Sequence, residues 1–165
     1  MLLHLQLIVL KYNKRYFRCL KKYAENIRRY FMAFTWTKDL ETGNTQIDTE
    51  HKQLIQAINN LLDACSSGKG RAEVTNTVDF LAQYTRTHFS HEQVLQQKYK
   101  YPDYENHKKL HENFIKVVDG IAVRLKKEGA TIQLVGEVNM QVGSWLINHI
   151  KREDVKVAKH ILSQQ

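Results

Sequence analysis

The sequence predicts an all-α protein: an up-down-up-down antiparallel four-helix bundle with an N-terminal arm and a short C-terminal helix. Three observations predict it. Proline occurs once, at Pro102, and glycine only seven times in 165 residues, so long stretches run without a backbone breaker. Apolar residues recur at steps of three and four through four such stretches. The breaks between the stretches are short, and short connections join antiparallel neighbours.

Residues 33–46 show no helical period and contain a turn-like Thr42-Gly43-Asn44, so they read as an arm whose Trp36 and Leu40 lie against the bundle. Helix one is expected to start near Asp48 as N-cap, to face inward with Ile55, Ile58, Leu61 and Leu62, and to stop at the Ser-Ser-Gly-Lys-Gly run of 66–70. Helix two is expected over 72–98, with Val78, Leu81, Tyr84 and Thr85 at helical steps, and ends before Pro102. Helix three, over 104–127, carries Leu110, Phe114, Val117, Val118, Ile121 and Leu125, with Gly129 as its cap. Helix four is expected over 131–152, and Val155, Val157, Ala158 and Ile161 suggest a last short helical piece.

Charge is distributed unevenly. Residues 1–31 hold four Lys and four Arg against one Glu, a net +7 of the chain's +8, which leaves +1 for residues 32–165. The bundle therefore lacks the basic face that phosphate backbones require, and nucleic acid is not expected as a partner. The extension 1–31 is expected to be helical or disordered. Its Tyr12, Tyr16, Leu20, Tyr23 and Ile27 recur at helical steps and would suit a membrane surface, although the bundle needs nothing before residue 32. The first ten residues are apolar but short of the ~20 that span a bilayer, and they lack the basic start and cleavage site of a secretory signal. Cys19 and Cys65 form no metal or disulfide spacing. A cytoplasmic monomer is the expectation.

The chemistry lies in five histidines and two carboxylates: His51, His88-x-x-x-Glu92, His107-x-x-x-His111 and His149-x-x-x-x-Asp154. Side chains four apart on a helix differ by about 40° around its axis and can grip one centre. His51, His107 and His111 come early in helices one and three, while His88, Glu92 and His149 come late in helices two and four. Alternating helix directions bring all of these to one end. Between His149 and Asp154 the ideal angle is about 140°, so helix four is expected to bend, tighten or end there. A carboxylate on an inward stripe is costly unless paired or bound to metal. Seven such groups exceed the needs of one tetrahedral zinc, so two ions are expected, with carboxylates bridging and imidazoles terminal. These ligand types suit Fe, Mn or Zn. His91, about 100° from Glu92, reads as solvent-facing or as a neighbour of the ligands; His4 and His160 belong to no pattern.

With Trp36, Ile47-Asp48-x-Glu50-His51-Lys52-x-Leu54, His88-Phe89-x-x-Glu92, His107-x-x-x-His111 and Trp145-Leu146-x-x-His149-Ile150-x-x-x-Asp154, the chain resembles the hemerythrin family, in particular the single-domain bacterial hemerythrins, over about residues 34–163. The resemblance implies a non-haem site of two iron ions, oxo- or hydroxo-bridged, that binds O2 reversibly. It implies His107, His111 and His149 on one iron, His51 and His88 on the other, and Glu92 and Asp154 shared. Where the family often has a second acid after the bridging Glu, this chain has Gln93. Phe89, Trp145, Leu146 and Ile150 flank the ligands and are expected to line a water-excluding O2 pocket.

An oxygen-binding protein used for storage, delivery or sensing, rather than an enzyme, is the leading expectation. A di-iron oxidase or peroxidase, a nitric-oxide or peroxide scavenger, and a metal-responsive interaction module are the alternatives. No substrate pocket or acid-base pair beyond the ligands favours the enzymes.

Overall fold

The computed structural model describes residues 33–67, 69 and 71–164; the basic extension 1–31, with His4 and Cys19, lies outside the described residues. Three long helices come first: α1 (Thr45–Ser66), α2 (Arg71–Lys98) and α3 (Tyr104–Glu128). A fourth helical run follows without a break, composed of α4 (Ile132–Glu137), a π-helical stretch (Val138–Ser144), α5 (Trp145–His149), a second π-helical stretch (Ile150–Asp154) and α6 (Val155–Leu162). α1 packs on α2, α2 on α3, α3 on α4 and the first π stretch, and that stretch returns to α1, which closes a four-helix bundle.

The start of α1 differs from the expected one. Asn44, not Asp48, caps the helix, its side chain accepting the Ile47 amide at 3.1 Å. Asp48 instead faces back toward the arm and accepts the Thr42 amide and hydroxyl, both at 2.8 Å, and the Gly43 amide at 3.3 Å. Both residues are capping types, and an N-cap must precede the first helical amides rather than sit among them. The arm turns at Gly43, whose φ of +82° is readily adopted only without a Cβ.

Further along the arm, Asn59 holds Phe34 by two hydrogen bonds, accepting its amide at 2.8 Å and donating to its carbonyl at 2.9 Å. The Phe34 ring occupies the space that a Cβ on Gly143 would need. Leu40 is fully buried and Trp36 half-buried, its ring centroid 6.4 Å from that of His51.

The core is made by the expected stripes. Ile55, Ile58, Leu61, Leu62, Val78, Leu81, Phe114, Val118, Ile121 and Leu125 are all buried. Leu110 is not, at 38 % exposed. The inward face of α3 at that level is taken by His107, His111 and Phe114, which turns the residue before His111 to the flank. Gly129, at φ +79°, ends α3 as expected. His160 has a structural role that its isolation in the sequence did not suggest. It donates from Nε2 to the Tyr99 carbonyl at 2.8 Å and so fastens α6 to the loop after α2, where Tyr101, Val157 and Ile161 pack together.

Gln96 is fully buried, and neither of its amide atoms has a hydrogen-bond partner among the described residues. A buried polar group left unpaired costs roughly 1–3 kcal/mol. Gln96→Met is therefore expected to raise the melting temperature of the metal-free protein by a few degrees in a calorimetric scan. A lowered melting temperature would mean that the amide holds a buried water instead.

Candidate metal centre

Each long helix delivers its polar residues to one end of the bundle: His51 from α1, His88 and Glu92 from α2, His107 and His111 from α3, His149 and Asp154 from the fourth run. None of the seven is more than 5 % exposed. The problem of the five-residue step is solved by widening the helix, neither bending nor tightening it. Ile150–Asp154 is π-helical, and the Val155 amide reaches the Ile150 carbonyl five residues back. In i to i+5 geometry, residues five apart fall near one face, so His149 and Asp154 both point inward.

The Nε2 atoms of three histidines converge. His111 Nε2 lies 2.9 Å from that of His107 and 2.9 Å from that of His149. Imidazole nitrogens about 2.1 Å from one ion and at right angles are about 3 Å apart, whereas tetrahedral ligands are separated by about 3.4 Å. The observed spacing is close enough for these nitrogens to share one ion. Glu92 Oε2 approaches His111 Nε2 at 3.3 Å and His107 Nε2 at 3.5 Å. Asp154 Oδ1 approaches His149 Nε2 at 3.0 Å and His107 Nε2 at 3.4 Å. One donor atom from each of these five residues lies within 4.8 Å of all the others.

His51 and His88 stand beside this group rather than in it. The other oxygen of Asp154, Oδ2, is 3.2 Å from His51 Nε2, so this carboxylate faces both sets of imidazoles. The His51 and His88 ring centroids are 4.7 Å apart, and His88 Nε2 is buried without a hydrogen-bond partner, as are both oxygens of Glu92. Lone pairs aimed at one another in a dry interior are costly, and cations between them remove that cost. The donor set therefore fits metal.

Charge follows the same geometry. Burial, together with the neighbouring His149 and His107, holds His111 far below the ordinary histidine range, so it is neutral. Burial, then the negative charge of Asp154, pushes Glu92 up to about 8. Burial would also raise Asp154, but His149 and His51 outweigh it and hold the carboxyl well below its usual value. The metal-free site at neutral pH thus keeps a proton on Glu92. Because this pKa is raised on folding, the folded chain binds the extra proton, and the stability it brings is lost as pH rises from about 4.5 through about 8. Thermal melts of the metal-free protein are expected to fall across that window, and Glu92→Gln should flatten the fall. A variant that melts in parallel with the wild type would contradict this.

Glu50 is part of the motif around His51 in the sequence, but sequence reasoning assigned it no role. Its Oε2 accepts from His88 Nδ1 at 2.9 Å and its Oε1 from His91 Nδ1 at 2.7 Å and Gln46 Nε2 at 3.1 Å. Burial opposes ionisation, but the hydrogen bonds from His88 and His91 prevail and bring its pKa to about 2. The carboxylate fixes the His88 proton on Nδ1 and leaves Nε2 free to ligate. His91, 46 % exposed at its side chain, forms the outer side of this pair. The available signal was a carboxylate next to His51, about 100° around α1 on the flank facing α2.

The family profile described as the Hemerythrin HHE cation binding domain matches residues 42–161, which contain all seven groups. The chain belongs to the hemerythrin family. It is 35 % identical over 132 residues to the bacteriohemerythrin of Pseudomonas aeruginosa, covering 78 % of this chain and 84 % of the relative. Identity with the myohemerythrin of Theromyzon tessulatum is 30 % over 125 residues, covering 74 % and 89 %. A crystal structure of wild-type hemerythrin superposes with a TM-score of 0.69 at 26 % identity, covering 79 % of this chain and 98 % of that one.

In this hemerythrin the candidate ligands are backed by aromatic rings. Phe89 stacks on His111 with centroids 3.6 Å apart and planes at 3°, and Trp145 on His149 at 4.4 Å and 12°. Phe114, absent from the expected lining, continues the stack at 4.0 Å from Trp145. Phe89, Leu146 and Ile150 are buried and Trp145 is half-buried. A surface hollow of about 530 Å3 lies away from the candidate ligands, near Asp63 and Lys69 between the end of α1 and the start of α2. Among the described residues no helix is long and apolar enough to cross a membrane.

Proposed function

We propose that this hemerythrin binds dioxygen reversibly at a non-haem di-iron centre. His107, His111 and His149 would hold one iron, His51 and His88 the other, with Glu92 and Asp154 shared between them. The observation that carries the reading is Asp154, with one oxygen beside His149 and His107 and the other beside His51. Iron held there would supply the electrons that reversible dioxygen binding requires, and the residues divide unequally, three imidazoles against two.

The protein's own part is to orient and to exclude. Glu50 keeps the His88 tautomer, and the neutral His111 is held flat against Phe89. Phe89, Trp145, Leu146 and Ile150 keep water and protons from the ligands. Five imidazoles with only two carboxylates supply little negative charge to stabilise highly oxidised metal, which favours binding over oxidative turnover. Storage, delivery or sensing in the cytoplasm suits such a site, residues 32–165 being the oxygen-binding domain.

The test is optical. Reduced, iron-loaded protein is expected to gain a visible absorption in air and lose it under nitrogen through repeated cycles. Steady consumption of reductant without a stable oxygenated state would favour an oxidase or a scavenger.

A further inference from the structure

The ligands are closed on one side far more firmly than on the other. Phe89, Phe114 and Trp145 form a continuous aromatic layer, Phe89 edge-on to Phe114 and Phe114 stacked on Trp145. On the opposite side, toward the bundle end, a narrow cavity of about 10 Å3 reaches the two carboxylates. It is lined by Glu92 and Asp154, by Ile47, Ala158 and Ile161, and by Thr42 and the partly exposed Asn44 of the arm. That volume is about one water.

We infer that this cavity is the route by which a divalent cation enters the centre, with the Ile161 side chain as its narrowest obstruction. The inference rests on the reading of the seven residues as a metal centre. Three observations carry it. Both oxygens of Glu92 and of Asp154 are buried without a hydrogen-bond partner among the described residues, so their lone pairs are available to an incoming cation. Asp48 does not line the cavity but is bonded to Thr42, which does, and so adds a carboxylate on the arm side of the route. The wall that must yield is α6, eight residues long and preceded by a π-helical stretch, and short terminal elements open at lower free energy than core helices. A cation entering here meets oxygen ligands first and imidazoles second, because Glu92 and Asp154 line the cavity and no histidine does.

The experiment is the rate at which metal-free, full-length protein takes up Co2+, followed by visible absorption after rapid mixing. Ile161→Ala is expected to speed uptake and Ala158→Leu to slow it, each by about ten-fold, the change that a barrier difference of roughly 1.4 kcal/mol produces. Final cobalt content should be the same as in the wild type. Leu125→Ala removes a buried side chain from the far end of α3 and should leave the rate unchanged. Equal rates in Ile161→Ala and wild type would overturn the route, as would an equal acceleration in Leu125→Ala, which would assign entry to general loosening. Should Ala158→Leu fail to fold, Ile161→Ala and Leu125→Ala still decide. A wild-type protein that takes up no cobalt at all would instead overturn the metal centre itself.

Discussion

His111→Ala is expected to abolish stable iron binding. His111 stands at the middle of the imidazole group, with Nε2 at 2.9 Å from both His107 and His149 and at 3.3 Å from Glu92 Oε2. Its loss removes one of three imidazoles and leaves a space beside Phe89 that no neighbouring donor fills. Removing a group that merely orients a ligand already weakens metal affinity by about 10–100-fold, and losing the ligand should exceed that. Iron analysis after gel filtration is the measurement, with His160→Ala as comparison. The latter loses only the tie to the Tyr99 carbonyl and should retain wild-type iron. Folding of His111→Ala is not expected to fail. The buried imidazole is neutral and its Nδ1 has no hydrogen-bond partner among the described residues, so the metal-free fold gains little from it. Equal iron in both variants would show the ligand assignment to be wrong.

The second large effect falls on a residue that touches no metal. Glu50→Ala frees the His88 ring to rotate and to move its proton onto Nε2, which removes the lone pair a metal needs. Affinity should fall by about 10–100-fold in competition with a chelator. Glu50→Gln keeps an oxygen for His88 Nδ1–H and should recover part of the loss, which a simple packing defect would not. The acid behaviour supplies an independent check. The Glu50 carboxyl is lowered to about 2, so the stability it brings is complete above about 4.5 and is lost as pH falls toward 2. In Glu50→Ala this part of the acid denaturation should vanish. An unchanged affinity in both variants would remove Glu50 from the working of the site.

Much of this was legible in the sequence because helical geometry is simple. Spacings of four residues, and the alternation of early and late positions across four helices, bring His51, His88, Glu92, His107, His111, His149 and Asp154 to one level. The irregular parts were less legible. The step from His149 to Asp154 demanded a departure from ideal geometry, but its sign, a widening to π-helix, depends on how the fourth run packs against its neighbours. Asp48 and Asn44 have nearly equal capping tendencies, and only the path of the arm separates them. The role of Glu50 remained hidden because its partners, His88 and His91, lie on another helix 38 and 41 residues away. Leu110 fails as a core residue because the metal-facing positions take the inward direction from the apolar stripe.

The central claim is that these seven side chains enclose two neighbouring ions. It is tested most directly by anomalous diffraction at the iron absorption edge from crystals of the loaded protein. Two peaks are expected, one among His107, His111 and His149 and one beside His51 and His88, each within reach of both Glu92 and Asp154. A single peak at the three-histidine group, with His51 and His88 bound to nothing, would contradict the account.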